Sequence, residues 1–189
     1  MYPASRPAQF ALLTRILHWL MAALLIAMLF IGVSMVSSLG DYHALLSLHR
    51  PLGILILILA AIRLTTRMFT QAPSLPPSLP QPEHYVAKAS EILLYTLFIA
   101  LPLVGWGMLS AGHYPIVMFG AVHLPPILPA SPELYATLRQ THTILAYLLF
   151  LAFLAHLSAV LFHTLVLRDG LLSRMVPWTV RASGGESRG

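Results

Sequence analysis

The chain has 189 residues, 58% of them apolar and only 9% charged, with a mean hydropathy of +0.80, nine histidines and no cysteine. A water-soluble domain carries about 25% charged residues, so the composition excludes one, and the missing cysteine excludes disulfides, iron–sulfur clusters, thiolate zinc sites and covalently attached c-type haem. A net charge of +5 and a pI near 10.0 would suit nucleic acid, but the placement of the basic residues accounts for them differently.

In chain order, a basic arm with Arg6 and Arg15 leads into a charge-free run from Ile16 to Gly40. That run is too long for a signal-peptide h-region, contains a histidine and is followed by no small-x-small cleavage pattern, so residues 12–36 are read as a permanent first span. The second span, residues 44–68, has 12 charge-free residues between Arg50 and Arg63, whose heads can snorkel outward at either end. Five prolines in APSLPPSLPQP, from Ala72 to Pro82, forbid a helix and predict an extended linker. The third span, residues 85–110, ends in LPLVGWGML, where Pro102, Gly105 and Gly107 bend the helix or let a bulky group approach its backbone. Residues 111–133 are apolar but broken by prolines, which predicts a segment lying over one mouth of a bundle. The fourth span, residues 134–167, includes a charge-free run from Gln140 to Leu167. Residues 169–189 read as a largely disordered cytoplasmic tail. The predicted fold class is therefore all-α, an integral membrane four-helix bundle occupying residues 1–168.

Four spans put both termini on one side of the membrane. On that side fall Arg6, Arg15, Arg63, Arg67, Lys88, Arg168, Arg174, Arg181 and Arg188, against Arg50 and Arg139 on the other. Nine against two places the termini in the cytoplasm by the positive-inside rule. The same asymmetry explains the high pI, so no nucleic-acid partner is expected, only membrane lipid.

The histidines carry the chemistry. His43, His84, His113 and His123 fall in connecting or interfacial segments and are assigned no role. His18, His49, His142, His156 and His163 fall in or near spans, where a polar group without a partner costs several kcal/mol. His142 and His156 are 14 residues apart in the fourth span, which leaves them about 40° apart on one helix face and about 21 Å apart along the axis. His18 is shallow on the cytoplasmic side of an outward-running helix, and His49 is shallow on the opposite side of an inward-running one. Depth and direction together pair His18 with His156 and His49 with His142. Two such pairs are what two bis-histidine b haems stacked across a bundle require, with all four residues as iron ligands. Hydrogen bonding between helices is the plainer use of one buried histidine, and a zinc or proton-coupled transporter is the competing use of several. Zinc transport normally calls for carboxylates at mid-membrane, whereas Glu91, near one end of the third span, is the only acidic residue in any predicted span. There is no cysteine nucleophile, serine elbow or glycine-rich phosphate loop.

The segments RILHWLMAALLI (Arg15 to Ile26), LHRPLGILILILAAIRL (Leu48 to Leu64), LFIALPLVGWGM (Leu97 to Met108) and THTILAYLLFLAFLAHLSAVLFH followed by LRDGLLSRMVP (Thr141 to Pro177) resemble the bacterial cytochrome b561 family of four-helix, di-haem proteins of the inner membrane. The family's haem ligands fall on His18, His49, His142 and His156. The resemblance implies electron transfer between the ubiquinone pool and another redox partner. In at least one member that partner is superoxide on the periplasmic side, which would make the chain a superoxide:ubiquinone oxidoreductase; otherwise it would be an electron-carrier subunit for a dehydrogenase or other redox protein. One departure is Thr141, where the family often has an aromatic residue before the ligand matched by His142.

Three further residues are candidates. His163, seven residues after His156, lies about 20° around the same face and about 10 Å further along the axis, where an imidazole can protonate a reduced quinone or bond a haem propionate or lipid headgroup. Arg50 and Arg139 flank the outer pair, where they can neutralise haem propionates or draw in an anion such as superoxide.

Overall fold

The computed structural model describes residues 9–38, 40–70, 80–118 and 120–176. Four helices dominate it: α1 (Leu12–Ser37), α2 (Tyr42–Phe69), α3 (Gln81–Ala111) and α4 (Pro132–Leu161). All four are long and apolar enough to cross a bilayer, α4 together with its continuation to Leu167. Their outward faces carry large apolar side chains with no protein partner. Phe30, for example, is 72% exposed and Leu151 61%, as expected where the solvent is lipid.

The third helix starts earlier than the proline-rich sequence suggests. Gln81 and Pro82 form its first turn rather than the end of a linker, because proline at the start of a helix forfeits only an amide that has no intrahelical acceptor. Residues 71–79 lie outside the described residues. The fourth helix is started by Ser131, whose Oγ accepts from the Leu134 amide at 3.2 Å, with Pro132 and Glu133 in the first turn. After Leu161 the backbone widens into a π-helical turn, Phe162–Leu167, and then reverses through Arg168 and Gly170, both at positive φ.

Close backbone approach joins α1 to α2, α2 to α3 and α3 to α4. The centre is filled by Met21 and Leu25 of α1, Ala60 of α2, Leu97, Phe98 and Leu101 of α3 and Leu149 of α4. Leu149 lies seven residues from both His142 and His156, so this plug separates an upper and a lower layer of the bundle.

Each end is covered differently. The segment after α3 crosses the loop end, as the sequence predicts for residues 111–133, and includes a two-residue antiparallel ladder, β1 (Val117–Met118) with β2 (Val122–His123). Trp106 donates to the Pro125 carbonyl at 2.9 Å, the Ile127 amide donates to Ser110 Oγ at 3.1 Å, and Leu128 fills the space left by the missing side chain of Gly107. At the terminal end, part of the segment expected to be a disordered tail is folded. Residues 169–176 include a short 3-10 turn, Leu172–Arg174, and lie across the start of α1. The Phe10 amide donates to the Arg174 carbonyl at 3.2 Å, Trp19 Nε1 to Met175 at 2.8 Å and Arg15 Nη1 to Val176 at 3.0 Å. Residues 177–189 lie outside the described residues.

Candidate functional site

The two histidine layers sit on either side of the central plug. At the terminal end, the rings of His18 on α1 and His156 on α4 have centroids 6.5 Å apart and planes at 66°. At the loop end, His49 on α2 and His142 on α4 stand 6.2 Å apart at 70°. The structure thus brings together the same two pairs that depth and helix direction select from the sequence.

Those separations leave room for a shared metal ion, and they also lie within the range of edge-to-face ring packing. Two imidazoles sharing an N–H···N bond of about 3 Å would place their centroids about 5 Å apart. Two imidazoles bound axially to one metal ion, each at about 2.0–2.1 Å, place them about 6.3 Å apart. Both pairs are wider than the first spacing and compatible with the second. Nδ1 of His18 and of His49 is buried without a hydrogen-bond partner, an arrangement that is costly in an apolar interior if the rings serve only as structural polar groups. The described residues contain no group of three or more His, Cys, Asp or Glu able to hold a metal, so each layer offers two imidazoles and no more. Tetrahedral zinc requires three or four protein donors, whereas a haem iron would need only two imidazoles from the protein. Backbone spacing is permissive as well, since α4 meets α1 and α2 here through these side chains. Gly105 of α3 backs the His142 ring, where a Cβ would lie 3.3 Å from Cε1.

The remaining candidates are placed as follows. Arg50 lies beside His49 and donates to the Pro115 carbonyl of the covering loop at 3.4 Å, with its Nε buried and unpartnered. Arg139 is exposed on α4, three residues before His142. His163 lies in the π-helical turn with Nδ1 2.5 Å from Asp169 Oδ2. Asp169 also accepts from the Leu171 amide at 3.1 Å. Burial raises the pKa of the Asp169 carboxyl, but the bonds from His163 and Leu171 outweigh it and hold the group below the ordinary carboxylate range. Asp169 was not among the sequence candidates, although the Asp-Gly pair at a helix end is a turn signal. A second unforeseen residue is Arg63 of α2, which lies close enough to both His18 and His156 to act on them electrostatically. His43, His113 and His123 are exposed and outside both layers; His84 is half-buried in the first turn of α3.

Residues 9–178 match the family model described as prokaryotic cytochrome b561. The chain belongs to the prokaryotic cytochrome b561 family. Among curated proteins it is 27% identical over 173 residues to cytochrome b561 homolog 2 of Escherichia coli, spanning 90% of this chain and 92% of that one. It is 32% identical over 133 residues to the probable superoxide oxidase CybB of Yersinia pestis, spanning 69% of this chain and 73% of that one. A second Escherichia coli protein, cytochrome b561 homolog 1, is 28% identical over 138 residues, 73% of this chain and 78% of that one. Membership makes this a multi-pass bacterial membrane protein that uses b-type haem for transmembrane electron transfer, and two imidazoles from facing helices are a donor set that fits such a haem.

Proposed function

We propose that this chain carries single electrons across the bacterial inner membrane through two b haems, from superoxide on the periplasmic side to ubiquinone. His18 and His156 would hold the inner haem, His49 and His142 the outer one. The observation that carries this reading is the presence of two imidazole pairs, with ring centroids 6.5 and 6.2 Å apart, in layers either side of a packed apolar plug. When bound, haem supplies the one-electron couple; the protein supplies ligands, spacing and a dry path.

The orientation rests on charge. Among the described residues, Arg15, Arg63, Arg67, Lys88, Arg168 and Arg174 lie toward the terminal end and Arg50 and Arg139 toward the loop end, which favours cytoplasmic termini. At the outer layer, Arg50 and Arg139 would neutralise haem propionates and leave positive potential that attracts superoxide. At the inner end, His163, bonded to Asp169, would hand a proton to reduced quinone or bond a haem propionate or lipid headgroup. The balanced reaction takes one electron from each of two superoxide ions, releasing two O2, and adds both electrons and two protons to ubiquinone to give ubiquinol. Superoxide as donor is supported by the 32% identity to a probable superoxide oxidase.

The test is haem stoichiometry by pyridine haemochrome, with each ligand replaced. The unmodified chain should hold two haems. His18→Ala or His156→Ala should remove one haem, and His49→Ala or His142→Ala the other, with distinct residual spectra for the two sets. Retention of both haems in all four variants sinks the assignment. Two haems combined with slow reduction by superoxide would point instead to a carrier subunit fed by a dehydrogenase.

A further inference from the structure

Arg63 is a charged side chain within a membrane span with little to balance it. It sits six residues before the end of α2 at Phe69, just as His18 sits six residues after the start of α1 at Leu12. Because α1 and α2 are antiparallel neighbours, the two residues share a depth. The guanidinium is half-buried, lies 5.5 Å from the centre of the Tyr95 ring and is close to the Tyr95 hydroxyl. Its Nε is buried without a hydrogen-bond partner.

The nearby carboxylate is already committed. Glu91 accepts from Arg67 Nε at 3.0 Å and from Lys88 Nζ at 3.1 Å, so three cations share one anion at this level of the bundle. Arg15 is occupied elsewhere, with Nη1 bonded to Gln9 Oε1 at 2.9 Å and to the Val176 carbonyl at 3.0 Å. A half-buried cation that must share its nearest carboxylate with two others is expensive within a span. The protein tolerates this one at the depth of His18 on the neighbouring helix, where haem b would bring two carboxylates of its own.

We propose that Arg63 is the anion-binding residue of the inner haem site: it takes a haem propionate, with Tyr95 holding the guanidinium plane, and its charge favours the reduced iron there. The inference rests on the haem assignment of His18 and His156. It assigns to Arg63 a role different from snorkelling to the membrane surface, because a snorkelling head would leave the histidine layer. Arginine is suited to this task by its fork of donors and its permanent charge.

The experiment is a spectroelectrochemical titration with a haem count on the full chain in detergent, comparing the unmodified protein with Arg63→Gln, Arg63→Lys and Arg67→Gln. Arg63→Gln should keep two haems but raise the ratio of oxidised to reduced iron about tenfold at a fixed potential in one of the two haems only. For a one-electron couple that is a fall of about 59 mV. Arg63→Lys should restore more than half of the shift, and Arg67→Gln should leave both potentials in place. If Arg63→Gln instead loses one haem, Arg63→Lys should retain it. Unmoved potentials with two haems in Arg63→Gln, or loss of a haem in both Arg63 variants, overturns the proposal. Absence of haem from the unmodified chain would instead strike the haem assignment itself.

Discussion

Gly105 of α3 faces the His142 ring of α4 closely enough that a Cβ at 105 would lie 3.3 Å from Cε1 and 3.5 Å from Nδ1 of the imidazole. The glycine thus lets α3 close against the ring that completes the loop-end pair. Gly105→Ala would gain about 1 kcal/mol of helix propensity while displacing the ring by a few tenths of an ångström, so thermal stability should hold or rise. The ring's new tilt should appear as a shifted low-spin electron paramagnetic resonance signal for one haem. Gly105→Val, whose branched side chain cannot be accommodated by so small a movement, should lose that haem. A valine variant with both haems and unaltered resonance would show that the contact does not matter.

The arginine and tryptophan that flank His18 serve the folded strap. Arg15 is 8% exposed, and its Nη1 joins Gln9 and Val176, while Trp19 reaches Met175. Hydrogen bonds to a charged group contribute about 1.5–3 kcal/mol each, so Arg15→Ala should cost at least that much. For a chain of this size that corresponds to about 3–12 °C in melting temperature. Both haems should remain bound at low temperature, and selective loss of the inner one would show that Arg15 acts on haem directly.

Asp169 makes the same strap sensitive to acid. Its carboxyl is held below its ordinary pKa in the folded chain, so its contribution is present above the unfolded value of about 3.9 and is lost as pH falls through the lower folded value. Hydrogen-exchange protection of residues 169–176, corrected for intrinsic rates, should therefore drop below about pH 4. Asp169→Asn should give lower protection at neutral pH and remove the acid dependence. Equal protection in the two proteins across that range would mean that the His163–Asp169 contact contributes nothing to the turn.

The large-scale pattern was legible because lipid simplifies the code. Apolar runs gave all four helices, and the count of 14 residues between His142 and His156 placed them on one face without any tertiary information. Four features were hidden for identifiable reasons. The start of α3 was masked by prolines that are tolerated at a helix start and forbidden inside one. The folded strap at 169–176 depends on contacts to Gln9, Phe10, Arg15 and Trp19, more than 150 residues away in sequence, and no local pattern reports such contacts. Arg63 read as a snorkelling residue because its relation to His18 and His156 appears only when α1, α2 and α4 are assembled. The two-residue ladder between β1 and β2 is simply too short to produce an alternating pattern.

Salt dependence separates the two electron donors. Arg50 is tethered to Pro115 by one bond and keeps an unpartnered Nε, and Arg139 is exposed near the same layer. If superoxide is the donor, their positive potential should speed its arrival, and the second-order rate of haem reduction should fall with ionic strength. The range to use is 0.01 to 0.15 M, over which the Debye length contracts from about 30 Å to about 8 Å. Arg139→Gln should lower the rate at low salt and flatten the dependence, since steering acts through charge at a distance and not through contact. Arg50→Gln should do the same, and because Arg50 also ties α2 to the covering loop, it should additionally reduce thermal stability. Stopped-flow reduction with pulse-generated superoxide would measure both rates. A slow reduction, or one independent of salt in the unmodified protein, removes superoxide as the donor and leaves the two arginines as partners of haem propionates alone.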